Sequence, residues 1–412
     1  AAPQNQQRHP DAVEIYHWQL AAVNDVNYDG WPDGWRRYHG PGLPHYVDVE
    51  LTPDEAAVGG QCLTVHVNGG GAHVESPGLS ISDKYSYKLE ARLRVADMRF
   101  ARAQVRLEFC DSDRQVLHTE ASDWFTSTDE WVKIEIGPAH TQHVEARIAR
   151  VALYVEPGTG ADLVGTVSLD DVWLGRLPRM DVGTNSPFNV YENPNDVQVT
   201  CDISGILDQD PDIIFELLDA SSKTIVDDSI ALTTRLINER QSKSSDIVGA
   251  TTSRAGYEGS TSWRPPIQDH GFYKVRVVMK SDRGELMDRT VNIAIVPPLE
   301  SAPQGRFGWS LAGDESPLSF DQLGKLLPRV AVNWVKIPVW YGEADTQRGD
   351  QLVVLTERLA AQDIEVVGVV DRPPEGSELA SRIARDAVIA DTLSLDPSSW
   401  MPLLDPVLTR LS

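Results

Sequence analysis

Short runs in which apolar and polar residues alternate dominate the start of the chain. QCLTVHVN, YSYKLEARLRVA, RAQVRLEFCD, WVKIEIG, ARVALYVEP and TVSLDDVWLG all fall between residues 12 and 177, divided by Gly, Pro, Asp and Ser turns. A period of two puts one side of each run on a core and the other toward solvent, which predicts antiparallel strands. Together they predict a β-sandwich over 12–177.

A second set of runs, VQVTCDI, DIIFELLD, KTIVDDSIAL, FYKVRVVMK and RTVNIAIVP, predicts a smaller sandwich over 185–298. Five or more strands in that length suit an immunoglobulin-like fold, although the Cys and Trp hallmarks of antibody domains are missing. The polar, turn-rich stretch from Ile237 to Trp263 reads as a long loop or an edge hairpin. Over 304–412 the period changes. RFGWSL, NWVKIPVWYG and IEVVGVVDRP read as buried strands, and FDQLGKLLPRVA, QLVVLTERLAAQD and SELASRIARDAVIADTLS as amphipathic helices between and after them, with WMPLLDPVLTRLS a last helix. Strands alternating with helices predict parallel βα units.

Composition narrows the function classes. The 412 residues carry 61 acidic and 37 basic side chains, a formal charge of -24, which repels phosphate backbones and anionic membranes. Nucleic acid is therefore not an expected partner. No apolar run reaches the length of a membrane span, and AAPQNQQRHP lacks the basic start and apolar centre of a signal peptide. Cys62, Cys110 and Cys201 each lie in a strand-like run and read as small buried hydrophobes. No HExxH, GxSxG or phosphate-loop motif occurs, and GGGAH at 69–73 reads as a turn between strands.

The order SISDKYSYKLEARLRV, RAQVRLEFCDSDRQVL, WVKIEI, ARVALYVEP and VSLDDVWL resembles the jelly-roll carbohydrate-binding modules of families 4, 9 and 22. FGWSL, VNWVKIPVW and QDIEVVGVVDRP resemble the first three strands of the (β/α)8 barrels in the large retaining glycoside hydrolase clan. The two resemblances imply a multidomain chain: jelly roll, immunoglobulin-like sandwich and the N-terminal part of a glycosidase barrel. They imply polysaccharide binding by ancillary modules of a retaining glycoside hydrolase whose catalytic carboxylates, from the fourth and seventh strands, lie outside this chain. A secreted, cell-surface or periplasmic setting follows from the same resemblance. The alternative is a non-catalytic extracellular adhesion or polysaccharide-binding protein.

The strongest local motif is NDVNYDGWPDGW. Asp25, Asn27 and Asp29 stand at alternate positions with Gly30 next, the spacing of an oxygen-rich calcium loop, and Trp31 (through its carbonyl) and Asp33 extend the set. Arg36 stands where an EF-hand has its Glu, so coordination needs residues from elsewhere. The jelly-roll resemblance supplies either Asp170 or Asp171 of VSLDDVWL, and a structural calcium. The bland reading is a solvated Asn/Asp/Gly turn capped by its own side chains. For sugar contact, Trp124 in the polar segment ASDWFTSTDEW is the candidate platform in the first sandwich. In the last region the strand ends single out Trp340, Asp371 and Arg372.

Overall fold

The computed structural model describes residues 12–20, 25–53, 56–58, 60–128, 130–158, 162–237, 256–281, 284–297, 307–311, 318–330, 332–340, 346–370, 372–373, 377–381 and 389–411. The chain divides into two compact units, Ala1–Ala294 and Ile295–Ser412. The first holds two successive sandwiches and the second a parallel βα segment.

The first sandwich is built from β1 (Val13–Trp18), β2 (Arg36–Tyr38), β3 (Asp48–Thr52), β4 (Cys62–His66), β5 (Ala72–Glu75), β6 (Leu79–Ser80), β7 (Ser86–Ala96), β8 (Arg102–Cys110), β9 (Val116–Ala121), β10 (Val132–Ala139), β11 (Ile148–Glu156) and β12 (Thr166–Leu177). One six-stranded sheet runs β10-β7-β12-β4-β3 with β1 on β12, and the other β2-β5-β11-β8-β9 with β6 on β11. Every pair is antiparallel, so period two governs each strand. Leu89, Ala91, Leu93 and Val95 of β7 and Ala103, Val105, Leu107 and Phe109 of β8 all point inward and are buried. Tyr87 and Phe109 meet edge to face across the two sheets, ring centroids 5.9 Å apart. Burying each large apolar side chain contributes about 1.5–3 kcal/mol, so this core holds the sandwich together.

The second sandwich comprises β13 (Arg179–Thr184), β14 (Val190–Tyr191), β15 (Val199–Ile206), β16 (Asp212–Leu218), β17 (Thr224–Ala231), β18 (Arg235–Leu236), β19 (Tyr257–Trp263), β20 (Gly271–Ser281) and β21 (Gly284–Ile295). Its sheets run β13-β15-β19-β18 and β14-β21-β20-β16-β17. Phe215 of β16 stacks on Trp263 of β19 at 5.5 Å, joining the two layers. The stretch read as a loop or an edge hairpin ends in a strand that pairs with the edge strand β18, as the second arm of an edge hairpin does. Tyr257–Trp263 is an interior strand, paired to β15 on one side and β18 on the other. Its alternation is hidden because YEGSTSW is almost wholly small and polar, and Trp263 is its one buried large side chain. Residues 238–255 of that stretch lie outside the described residues. Arg179 Nη1 and Ser204 Oγ donate to the carbonyls of Asp83 and Lys84, both at 2.7 Å, and tie the second sandwich to the turn before β7.

In the second unit, β22 (Gly308–Ser310), β23 (Trp334–Pro338) and β24 (Glu365–Val369) pair in parallel in that order. Between them come α1 (Phe320–Leu326) and α2 (Thr346–Ala360), and after them α3 (Glu378–Ser381), α4 (Ile389–Leu393) and α5 (Pro397–Leu411). Ser319 and Gln322 form a capping box that fixes the start of α1. Leu352, Leu355 and Leu359 recur at helical spacing on α2 and pack with Leu323, Val335 and Ile337. Among the described residues no helix is long and apolar enough to cross a membrane.

Candidate functional site

The outward face of β2-β5-β11-β8-β9 is not the solvated surface that period two leads one to expect. Ala149, Val151, Leu153 and Val155 of β11 enter the core, which turns Arg150, Ala152 and Tyr154 outward. Register then sets their neighbours. Tyr154 lies opposite His73 on one side and Gln104 on the other, Ala152 opposite Glu75 and Arg106, and Arg150 opposite Glu108. β2 extends two of these rows with Tyr38 beside His73 and Arg36 beside Glu75. The strands come this close partly through Gly71, where a Cβ would fall 2.5 Å from the Val155 carbonyl oxygen.

A line of planar groups crosses the strands on this face. Tyr38 stacks on His73 at 4.7 Å between centroids, and His73 on Tyr154 at 4.0 Å. The Arg106 guanidinium lies 3.8 Å above the Tyr154 ring and 5.8 Å from Trp124, and Arg102 covers Trp124 at 4.2 Å. Such cation–π and ring contacts each contribute about 0.5–2 kcal/mol toward keeping the groups in this arrangement.

Beside that line lies a buried ionic network. Arg150 reaches Glu108 through Nε at 2.7 Å and Glu75 through Nη1 at 2.9 Å, and the two carboxylate side chains are only 2% and 4% exposed. His73 Nε2 lies 3.0 Å from Glu75 Oε1, and the Tyr154 hydroxyl donates to Glu108 Oε1 at 3.2 Å. Burial pushes the Glu75 carboxyl up. His73, the Arg150 charge and the Tyr38 hydroxyl more than offset this, and the group is held below the ordinary Glu range. Burial and the adjacent Glu108 charge push the Tyr154 hydroxyl well up, so it stays a neutral donor. At the β11 start of the face, a cavity of about 240 Å³ opens between β2, β5, β8 and β11.

Trp124, the platform expected from sequence, reaches this face and arrives with Arg102 laid on its ring. The motif at Asp25 folds into a tight loop. Asp25 accepts from the Asp29 and Gly30 amides at 3.0 and 3.1 Å, Asp29 from the Trp31 amide at 2.9 Å, and Asp33 from the Val26 amide at 2.9 Å. Asn27 donates its side-chain amide to Asp29 at 2.9 Å, and Gly30 takes φ +78°, a conformation that favours glycine. The Trp31 carbonyl belongs to the same turn, with the indole N–H donating to the Trp35 carbonyl at 2.9 Å.

Asp170 and Asp171 turn to other partners. Asp170 is fully buried and accepts from the amides of Val58 and Asp171 at 2.8 and 2.7 Å. Burial pushes its carboxyl up to about 6. Asp171 sits at φ +51° in a bulge of β12, 2.7 Å from His17 Nε2 and 3.6 Å from Arg92 Nε. Among the described residues no three His, Cys, Asp or Glu side chains converge as a metal cluster. All three cysteines are buried and free.

In the second unit, Trp340 is 6% exposed and donates its indole N–H to the Leu403 carbonyl at 3.3 Å. The residue expected as a sugar platform is thus an enclosed ring packed on α5. Arg372 is exposed, and Asp371 lies outside the described residues.

The residues sequence reading missed are His73, Glu75, Arg106, Glu108, Arg150 and Tyr154. The available signal was charged residues at the outward positions of two strongly apolar strands, RAQVRLEFC and IARVALYVE.

No protein-family model matches the chain, and none of the curated proteins matches it. Solved structures similar to part of it include an arabinose-bound α-L-arabinofuranosidase (15% identity, 35% of this chain and 23% of that one, TM-score 0.26). A family 22 carbohydrate-binding module of Clostridium thermocellum is similar at 13% identity, over 39% of this chain and 92% of that one, TM-score 0.27. A cyclase from Fischerella is similar at 17% identity, over 40% and 98%, TM-score 0.30. The chain spans under a quarter of the arabinofuranosidase. Likenesses at this level carry no functional argument, and proteins of such different chemistry assign none of it to this chain.

Proposed function

We propose that the first sandwich binds carbohydrate on the outward face of β2-β5-β11-β8-β9. The observation that carries this is the fixed line of planar groups beside two buried, arginine-held carboxylates. Apolar ring surface next to immobilised donors and acceptors is the chemistry that recognises a polyhydroxylated ring. The face suits binding rather than turnover. A glycosidase needs a general acid with a raised pKa, and Glu75 is shifted the other way. Asp170 is shifted in the right direction but is enclosed between backbone amides. Polysaccharide pull-down and glycan arrays test the reading. Retention of at least one polysaccharide, weakened by Tyr38→Ala at an accessible ring, is the expected result, without hydrolysis by residues 1–412. No retention of any glycan overturns it.

The remaining architecture fits an ancillary role in a retaining glycoside hydrolase. The strand orders β13-β15-β19-β18 and β14-β21-β20-β16-β17 support an immunoglobulin-like reading of the second sandwich. The consecutive parallel order β22-β23-β24 supports reading 304–412 as the opening of a (β/α)8 barrel. A calcium ion at the 25–33 loop belongs to the same proposal. The loop gathers Asp25, Asn27, Asp29 and Asp33, while Asp170 and Asp171 are committed elsewhere, so the ion would compete with amides for the loop oxygens. Calcium raising the melting temperature, and Asp29→Ala abolishing that rise, is the expected outcome. An unchanged melting temperature sinks the calcium part alone.

A further inference from the structure

We infer that the cavity at the β11 start of this face takes the carboxylate of an acidic sugar, so that the polysaccharide recognised is one bearing uronate residues. This rests on the carbohydrate-binding reading and narrows its substrate class.

Three arginines, Arg36, Arg114 and Arg150, line the cavity against a single acidic side chain, Glu75. Glu75 is itself neutralised in place, by Arg150 at 2.9 Å and beside His73 at 3.0 Å. The cavity wall is therefore net cationic, even with Glu108 behind Arg150, on a chain whose formal charge is -24. A concentration of guanidinium groups against that background is selective for an anion. Arg150 uses Nε on Glu108 and Nη1 on Glu75, and its guanidinium lines the cavity. Arg36 is exposed at the cavity mouth and enters no ion pair among the described residues.

Size and shape select within anions. About 240 Å³ falls below the roughly 300–1,000 Å³ of pockets for drug-sized ligands, which suits one sugar residue or its acidic substituent. Guanidinium groups match the planar carboxylate with two parallel hydrogen bonds. The adjoining line from Tyr38 to Trp124 offers the rest of the chain of sugars ring edges, hydroxyls and imidazole nitrogens. Most ring faces there already stack on one another, which leaves the exposed Tyr38 ring for stacking and hydrogen bonding for the rest of the contact.

The test uses the whole 412-residue protein and matched polymer pairs: polygalacturonate, alginate and glucuronoxylan, each beside its carboxyl-reduced counterpart, in which the uronates have become neutral sugars on unchanged linkages. Affinity electrophoresis and calorimetry are expected to show binding to at least one acidic polymer that falls about tenfold or more on carboxyl reduction. Arg36→Gln, at an exposed position where folding is not at stake, is expected to weaken that same binding about tenfold with an unchanged melting temperature. Equal binding of native and reduced polymers, or undiminished binding by Arg36→Gln, overturns the uronate assignment and leaves the carbohydrate reading standing. Preference for a sulfated galactan over every uronate polymer does the same. Binding to no polymer, acidic or neutral, overturns both.

Discussion

Two of the carboxylates buried in the first sandwich, Glu75 in one sheet and Asp170 in the other, are shifted in opposite directions. Glu75 lies on the outer face of β2-β5-β11-β8-β9 with Arg150, His73 and Tyr38 around it, and is held below the ordinary Glu range. Asp170 lies in the β12 bulge with only backbone amides as donors and the Asp171 charge beside it, and is raised to about 6. Both pay the desolvation penalty of burial. The difference lies in the partner, because a guanidinium carries a full charge and an amide only a partial one. Enclosure without a cation marks Asp170 as a local structural anchor for residues 57–58. Enclosure with cations and aromatic rings marks Glu75 as part of a built surface.

Removing the cation is the most direct way to break this contrast. Arg150→Met leaves both Glu75 and Glu108 buried without their counter-charge, and the expected loss is about 3–5 kcal/mol by urea denaturation. Combining it with Glu75→Gln and Glu108→Gln is expected to restore most of that loss, because the buried charges go with it. A small loss in the single variant would mean that the network relaxes into water and that Glu75 is no different from a surface acid.

Titration gives the next largest effect, and its sign separates the two groups. For Asp170 the native state takes up a proton before the unfolded chain does. Its penalty is therefore absent below the unfolded value near pH 3.9, and stability falls as pH rises from there to about 6, by on the order of 2–3 kcal/mol. Glu75 behaves in reverse. Its contribution is complete above the unfolded value near 4.3 and is lost as pH falls through and below it. Asp170→Asn is expected to flatten the slope between pH 4 and 6, measured as stability against pH relative to the parent. An Asn amide facing the Val58 or Asp171 N–H shifts the whole curve but leaves its slope unaffected. Were calcium held at Asp170, added calcium would abolish that slope in the parent protein.

The same contrast explains what the sequence made legible. Local order was readable: period two located the long strands at the centre of both sandwiches, and the DVNYDG spacing located a tight, self-capped loop whose hydrogen bonds span seven residues or fewer. The DD pair of VSLDDVWL was visible too, but not the bulge at Asp171 that sends neighbouring carboxylates to different partners. The outer face was invisible because it is assembled by register. Tyr38, His73, Glu75, Glu108, Arg150 and Tyr154 come from four strands, and a slip of one residue in any pairing would turn its side chains into the core. For β19 the sequence left a loop and an edge hairpin open for a related reason, since seven mostly small polar residues show no alternation until they pair with β15 and β18.

The smallest expected effect lies at the outer end of the same face and tests whether burial, rather than ion pairing as such, distinguishes the Glu75 network. Arg102 pairs with Glu156 at 2.7 Å, as close as Arg150 to Glu108, but the two side chains are 38% and 45% exposed. Exposed pairs are screened, and the entropy of fixing two long side chains opposes them, so Arg102→Ala is expected to cost less than 1 kcal/mol in urea unfolding. Its larger consequence is optical. Arg102 lies 4.2 Å above Trp124, and its removal uncovers that face of the ring. Acrylamide quenching of the Trp124 signal, taken as the difference from a Trp124→Phe background, is expected to rise. Quenching left unchanged would place another group over Trp124, and a loss comparable to that of Arg150→Met would show that exposure does not separate the two arginines.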